Sequence, residues 1–158
     1  PLKKIFKKIS KEKIIFQVKK INKFYKKYLK MNPYIALTGL NPHCETSDKF
    51  SEEEKILTPA VKQLKKNGIK ITGPHPADTI FLKKNYKLYD VIIGMYHDQV
   101  LTPFKTLYGF KAINITIGLP FIRITLDHGP NNKMVGKNLS MPTSLIEAIN
   151  FIKNLRDI

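Results

Sequence analysis

Residues 34–43 read Tyr-Ile-Ala-Leu-Thr-Gly-Leu-Asn-Pro-His, and this stretch decides the fold class. Its first seven residues form a short, largely apolar run, which is typical of a buried strand. Asn41-Pro42 then ends the strand and begins a loop that carries His43. The stretch therefore predicts a buried strand that places a histidine just beyond its carboxyl end.

Helices are predicted on both sides of this strand. Upstream, apolar residues recur at helical spacing over about residues 11–30, with lysines between them, and Ser10 can cap the helix start. Pro33 ends that pattern. Downstream, an acid-led helix is predicted to start near Ser51 and to end at Asn67-Gly68.

The rest of the chain continues this alternation. Further strands are predicted at 69–72, 89–95, 112–117 and 121–125, a rigid turn at 73–76, and helices at 77–82 and 142–155. Alternating strands and helices predict an α/β fold with a mostly parallel sheet flanked by helices. Neither the dinucleotide-binding Gly-x-Gly-x-x-Gly nor the P-loop motif occurs.

Length and composition fit one globular domain with a real core: 158 residues, 42% hydrophobic and 25% charged. No apolar run is long enough to span a bilayer and no secretory signal opens the chain, so we expect a cytoplasmic protein. Because the first residue is Pro1 rather than methionine, we also expect a fragment. Cys44 is the single cysteine, which excludes an internal disulfide and a cysteine-based zinc site.

The net charge of +16 is concentrated in one segment. Residues 1–31 hold twelve lysines and one acid, Glu12, and only Arg123 and Arg156 among all the cations are arginine. Readers of nucleic-acid bases usually rely on arginine, so we interpret the lysines as a solvated helix face. A nucleic-acid or anionic-surface binder is the alternative.

Polar clusters follow two of the predicted strands. In open α/β sheets ligands bind beyond the carboxyl ends of strands, where this chain has His43 and His97-Asp98. Two imidazoles and a carboxylate can hold a divalent cation with positions open to substrate. Loop histidines that bond to backbone are the alternative. A reactive thiol at Cys44 is not favoured, since no base is visible beside it.

A second set of polar residues lies between 105 and 129. Lys105, Asn114 and Arg123 lie beside apolar strands and could converge on a phosphate or carboxylate. For Arg123 the alternative is a structural ion pair with Asp127. The turn Asp127-His128-Gly129 fits either an orienting pair at a site or a plain capping turn.

Five motifs resemble one known family in both order and separation. They are Gly39-Leu-Asn-Pro-His43, Gly73-Pro-His-Pro-Ala-Asp-Thr79, Met95-Tyr-His-Asp-Gln99, Asn114-Ile-Thr-Ile-Gly-Leu-Pro-Phe-Ile-Arg123 and Asp127-His-Gly129. The family is the 4-hydroxythreonine-4-phosphate dehydrogenases, the NAD-dependent, metal-requiring enzymes of pyridoxal 5'-phosphate synthesis. The resemblance covers essentially the whole chain. Family chains are longer, so it implies that residues 1–158 form the C-terminal half.

The resemblance implies a fold like isocitrate and isopropylmalate dehydrogenases and a homodimer with the active site at the subunit interface. It implies NAD or NADP as cofactor, a divalent cation (Zn, Mg or Co), a phosphorylated small-molecule substrate, and neither nucleic acid nor membrane as partner. The implied site consists of His43 and His97 as metal ligands, Lys105, Asn114 and Arg123 as substrate-binding residues, and Asp78, Asp98, Asp127 and His128 near the site.

The implied reaction oxidises and then decarboxylates 4-phosphohydroxy-L-threonine to 3-amino-2-oxopropyl phosphate in vitamin B6 synthesis. The family's third histidine ligand and a substrate-contacting His-Thr pair would lie upstream of Pro1. Two segments, 44–49 and 130–136, depart from the family pattern. A related dehydrogenase of another phosphorylated four-carbon acid, or a catalytically inactive fragment, therefore stays open as an alternative.

Overall fold

The structure, a computed structural model, describes residues 2–44, 51–127, 129 and 132–155. Its helices and strands alternate largely as the sequence predicts. In chain order they are α1 (Lys11–Phe24), β1 (Ile35–Thr38), α2 (Thr58–Lys66), β2 (Ile71–His75), α3 (Ala77–Ile80), α4 (Lys83–Tyr86), β3 (Val91–Ile93), α5 (His97–Tyr108), β4 (Ile113–Thr116), β5 (Arg123–Leu126) and α6 (Thr143–Lys153).

A three-stranded parallel sheet in the order β2-β1-β3 forms the centre of the fold. Ile35 of β1 lies opposite Ile71 of β2 on one side and Val91 of β3 on the other. All four β1 residues are buried, and because side chains alternate along a strand, both faces of β1 are covered. The carboxyl ends of the three strands meet at one edge.

The lysine-rich helix forms where it is predicted. Ser10 caps α1, because its Oγ accepts a hydrogen bond of 3.3 Å from the backbone N–H of Lys13. A π-helical turn, Tyr25–Leu29, continues α1 to nearly the predicted end. Ile14 and Val18 on its apolar face join α2 and β1 in the core, each contributing about 1.5–3 kcal/mol by burial.

The predicted parallel sheet flanked by helices is confirmed, but the last two strands lie outside it. β4 and β5 form a separate antiparallel pair, in which Asn114 lies opposite Thr125 and Thr116 opposite Arg123. Only residues 117–122 connect them, and a parallel pair needs a crossover of about a dozen residues or more. A connection this short can join only antiparallel neighbours, so β4 and β5 form a hairpin. Helix α6 packs against the resulting hairpin.

The prediction of a rigid turn at 73–76 was wrong in part, because β2 continues to His75. The backbone oxygen of His75 accepts a hydrogen bond of 2.9 Å from the backbone N–H of Gly39. Pairing with β1 therefore outweighs the tendency of glycine and proline to end a strand. Gly73 has φ of 130°, and a Cβ there would clash with the backbone oxygen of Leu37. Only glycine fits at this position.

Helix α5 was not predicted. Pro103 lies in its interior, where proline removes a backbone donor and usually costs about 3 kcal/mol. Lys105 lies on this helix and not next to a strand along the chain. No helix within the described residues is both long and apolar enough to cross a membrane.

Candidate active site

His43, Asp78 and His97 follow the three neighbouring parallel strands at the carboxyl edge of the sheet. His43 lies in the loop after β1, Asp78 in the first turn of α3 after β2, and His97 at the start of α5 after β3. The predicted position of both histidines beyond strand ends is confirmed. Their side chains are 67% and 75% exposed, so both imidazoles face solvent.

Each of these histidines has a carboxylate beside its Nδ1 atom. Nδ1 of His43 lies 3.6 Å from Oδ2 of Asp78, which is a close electrostatic contact but too long for a hydrogen bond. Nδ1 of His97 lies 2.8 Å from Oδ1 of Asp98, which is within hydrogen-bond distance. The hydrogen bond with Asp98 favours the His97 tautomer that leaves Nε2 unprotonated.

This arrangement fits the chemistry of a divalent metal site in part. Imidazole Nε2 atoms with carboxylates behind them are a common donor arrangement for zinc and similar cations. Within the residues that the structure describes, however, no three His, Cys, Asp or Glu side chains cluster closely enough to hold an ion. His43 and His97 would therefore supply only part of a ligand set.

Glu53 holds the loop that carries His43, and the sequence analysis missed this role. It lies in the π-helical turn Glu53–Leu57 and is 0% exposed. Its Oε1 accepts hydrogen bonds of 2.8 Å from the backbone N–H groups of Leu40 and Asn41, and its Oε2 accepts one of 2.7 Å from the Asn41 side chain. Sequence patterning indicated only an acidic helix start, because these bonds join residues far apart in the chain.

Cys44 lies beside His43 but is not poised as a nucleophile. Burial is the main cause that raises the pKa of its thiol. A backbone hydrogen bond at Gly39 acts in the opposite direction, and the charges of Glu53 and Asp78 add smaller increases. A raised pKa lowers the thiolate population near neutral pH. The raised pKa does not favour a reactive thiol at Cys44, which is also the interpretation of the sequence.

Lys105 pairs with the residue that follows β5. Its ammonium lies 3.3 Å from Oδ2 of Asp127 and donates a hydrogen bond of 3.1 Å to the Asp127 backbone oxygen. The Asp127 side chain is only 16% exposed. The alternative considered from sequence, an ion pair of Asp127 with Arg123, is not the pairing that forms.

Asn114 and Arg123 share one face of the β4–β5 hairpin. Residues directly opposite in an antiparallel pair point to the same side, so Asn114, Thr116, Arg123 and Thr125 lie on one face. The Arg123 guanidinium donates a hydrogen bond of 3.1 Å to Oγ1 of Thr116 and remains exposed. The hairpin thus presents a guanidinium and an amide together.

Ser144 fixes the end of this hairpin that meets Lys105. Its Oγ accepts a hydrogen bond of 3.3 Å from the Asp127 backbone N–H and donates one of 2.6 Å to the Ala112 oxygen. The start of α6 therefore holds Asp127 and Ala112 together. His128, the remaining predicted near-site residue, lies outside the described residues.

A further histidine, His75, forms a small polar cluster at the end of β2. Its Nε2 lies 2.8 Å from Oγ1 of Thr72 and 3.4 Å from the hydroxyl of Tyr89. Burial, and to a smaller degree the charge of Lys65, lowers the pKa of His75 below 6.5. A lowered pKa favours the neutral form of His75.

Comparison with known proteins identifies the family. The family described as "Pyridoxal phosphate biosynthetic protein PdxA" matches residues 1–152. The chain belongs to the PdxA family. The resemblance stated from five motifs is thereby confirmed, and the α/β structure with its parallel sheet is consistent with solved structures of similar proteins.

Two relatives and one solved structure of this family carry the same name. A 4-hydroxythreonine-4-phosphate dehydrogenase from Sulfurihydrogenibium sp. (strain YO3AOP1) is 48% identical, over 94% of this chain and 46% of its own length. One from Aquifex aeolicus (strain VF5) is 39% identical, over 99% of this chain and 49% of its own. The crystal structure of a 4-hydroxythreonine-4-phosphate dehydrogenase from Burkholderia phymatum superposes with a TM-score of 0.80 at 32% sequence identity. The match covers 100% of this chain and 49% of the other. The chain spans about half the length of the PdxA relatives it matches.

Proposed function

We propose that this chain supplies the C-terminal half of an NAD-dependent dehydrogenase that acts on 4-phosphohydroxy-L-threonine in vitamin B6 synthesis. The observation that carries the proposal is the pair of histidines beyond neighbouring parallel strands, each with a carboxylate at Nδ1, in a chain of the PdxA family. The names of the relatives support the choice of substrate.

The cationic and amide groups would bind the substrate phosphate. Arg123 offers a planar fork of donors, Lys105 a compact charge and Asn114 an amide donor. To engage phosphate, Lys105 would exchange its contact with Asp127 for one with the ligand. Binding the remote phosphate orients the carbinol carbon that is to be oxidised, so that binding energy is used at the reacting end.

The imidazoles of His43 and His97, oriented by Asp78 and Asp98, would hold a divalent cation, which fits their donor chemistry. When bound, the cation would stabilise negative charge on the substrate oxygen, and the nicotinamide of NAD or NADP would accept the hydride. Loss of carbon dioxide from the oxidised acid gives 3-amino-2-oxopropyl phosphate. The divalent cation would be zinc, magnesium or cobalt.

Because the ligand set is incomplete, we infer that further metal ligands come from residues outside those that the structure describes. We propose that these come from the upstream half and from the second subunit of a homodimer, in a cytoplasmic enzyme with an isocitrate dehydrogenase-like fold. The supporting observation is that no described cluster reaches three metal-ligating side chains. The 158-residue chain alone is then expected to be inactive.

The test is NAD reduction by a full-length protein that contains this chain, with added divalent cation and 4-phosphohydroxy-L-threonine. We expect activity in the parent and loss of at least about 100-fold in His97→Ala, since removing a metal ligand abolishes charge stabilisation worth several kcal/mol. Cys44→Ala is the matched control and should keep activity. Full activity in His97→Ala would overturn the metal assignment.

Two further outcomes separate the alternatives. Oxidation of a different phosphorylated four-carbon acid, with no turnover of the named substrate, would indicate a related dehydrogenase. Activity of the isolated 158-residue chain would contradict the proposal that the site is completed elsewhere.

A further inference from the structure

Gln99 lies between the loop that carries His43 and the segment that leads into His97. It is the third residue of α5 and is only 7% exposed, although the neighbouring His97 and Asp98 side chains face solvent. A buried amide needs partners for its donors and acceptors, so its hydrogen bonds indicate what it holds in place.

Three short hydrogen bonds join Gln99 to separate parts of the backbone and sheet. Its Oε1 accepts hydrogen bonds of 2.7 Å from the hydroxyl of Thr38 and 2.7 Å from the backbone N–H of Met95. Its Nε2 donates a hydrogen bond of 2.7 Å to the backbone oxygen of Gly39. Both acceptor sites of the amide oxygen are thus occupied.

These partners precede the two histidines along the chain. Gly39 follows β1 and leads into the His43 loop, while Met95 follows β3 and leads into His97. One buried side chain therefore bridges the ends of two neighbouring parallel strands at the point where both enter the candidate site.

Glu53 restrains the backbone just after Gly39. Gln99 holds the oxygen of Gly39, and Glu53 holds the N–H groups of Leu40 and Asn41. Three consecutive residues before His43 are thus fixed by buried side chains from two different helical segments. The exposed histidine itself does not take part in this restraint, so its position depends on the backbone beneath it.

We propose that Gln99 is a positioning residue that sets the spacing and orientation of His43 relative to His97, and so tunes the affinity of this site for a divalent cation. The proposal rests on the proposed function for the metal itself. A leucine at this position would fill a similar volume and leave Thr38, Gly39 and Met95 without these partners. A glutamate would keep the acceptor but could not donate to Gly39.

The experiment uses a metal-free full-length protein that contains this chain and titrates it with Co²⁺, following the visible absorption of the bound ion. Substituting a residue that orients metal ligands typically changes the affinity for the metal about 10- to 100-fold. We expect Gln99→Leu to weaken Co²⁺ binding by this amount and to alter the absorption band, and Gln99→Glu to have a smaller effect of the same kind. Ile71→Val, a core change in β2, is the control for general destabilisation and should leave the band unchanged.

Hydrogen exchange of the Met95 amide, measured without metal, separates this proposal from the proposed function. Faster exchange in Gln99→Leu than in Ile71→Val supports the role of Gln99 even if the parent protein binds no Co²⁺, in which case the metal assignment alone fails. Unchanged exchange, or unchanged Co²⁺ affinity and absorption in both Gln99 variants of a cobalt-binding parent, overturns the proposal. Gln99→Glu keeps the test decisive if Gln99→Leu does not fold.

Discussion

Lys105 contacts Asp127 twice, through the carboxylate at 3.3 Å and through the backbone oxygen at 3.1 Å. The lysine side chain is 47% exposed, so the ion pair adds at most about 1 kcal/mol to stability. The contact instead keeps the ammonium at the end of the hairpin that carries Asn114 and Arg123.

Replacing Lys105 by methionine should affect both folding and binding, and KM reports binding by the protein that is folded. We expect the free energy of unfolding, measured with urea, to fall by about 1–3 kcal/mol, because the largely buried Asp127 carboxylate loses its cation. In a full-length protein that contains this chain, the KM for the proposed phosphorylated substrate should rise about tenfold or more, since a charge-assisted hydrogen bond is worth about 1.5–3 kcal/mol. Lys111→Met, at an exposed lysine after α5, is the control. An unchanged KM would remove Lys105 from the phosphate site.

Glu53→Ala should destabilise the protein strongly. It removes the acceptor for two backbone N–H groups and one side-chain amide, so we expect a loss of about 3 kcal/mol in the free energy of unfolding. The exposed neighbour Glu54 gives a matched control, and Glu54→Ala should change stability by no more than about 0.5 kcal/mol. Equal effects of the two substitutions would contradict the anchoring role of Glu53.

His75 should make stability depend on pH. Burial lowers its pKa in the folded protein, so between the folded value and about 6.5 the unfolded chain binds more protons. Its contribution to stability is therefore complete above about pH 6.5 and is lost as the pH falls below that value. Urea unfolding at pH 7.5 and 5.5 should show a smaller difference in His75→Gln than in the parent. The same difference in both proteins would argue against this assignment.

Cys44 should react slowly with iodoacetamide. Because burial raises the pKa of its thiol, we expect alkylation at pH 7 to be slower than that of a free cysteine in a peptide, and to accelerate on raising the pH above 9. Mass spectrometry of the labelled chain measures the rate. Fast labelling at neutral pH would indicate an activated thiol.

Much of the fold follows from local patterns in the sequence. The apolar run before Asn41, the amphipathic periodicity of α1 and the apolar face of α6 each express a rule that acts within one element. The pattern also places histidines beyond strand ends, because strand boundaries follow from proline, asparagine and glycine. Such features need no knowledge of distant residues.

What the sequence did not predict depends on contacts between distant residues. Pairing with β1 carries β2 through Gly73 and Pro74, and tertiary context retains Pro103 inside α5. The roles of Glu53 and Gln99 arise mainly from hydrogen bonds to residues 12 to 61 positions away, and only the bond between Gln99 and Met95 is local. Nothing in the local pattern distinguishes them from a surface glutamate and a surface glutamine.

The buried anchors and the exposed imidazoles are different residues. Glu53 and Gln99 bond to the backbone before His43 and His97, while the rings themselves project into solvent. The donor atoms can therefore be exchanged by mutation without rebuilding their supports. A lineage with this architecture is free to alter its chemical preference one side chain at a time, and an engineer can use the same separation to install new reactivity.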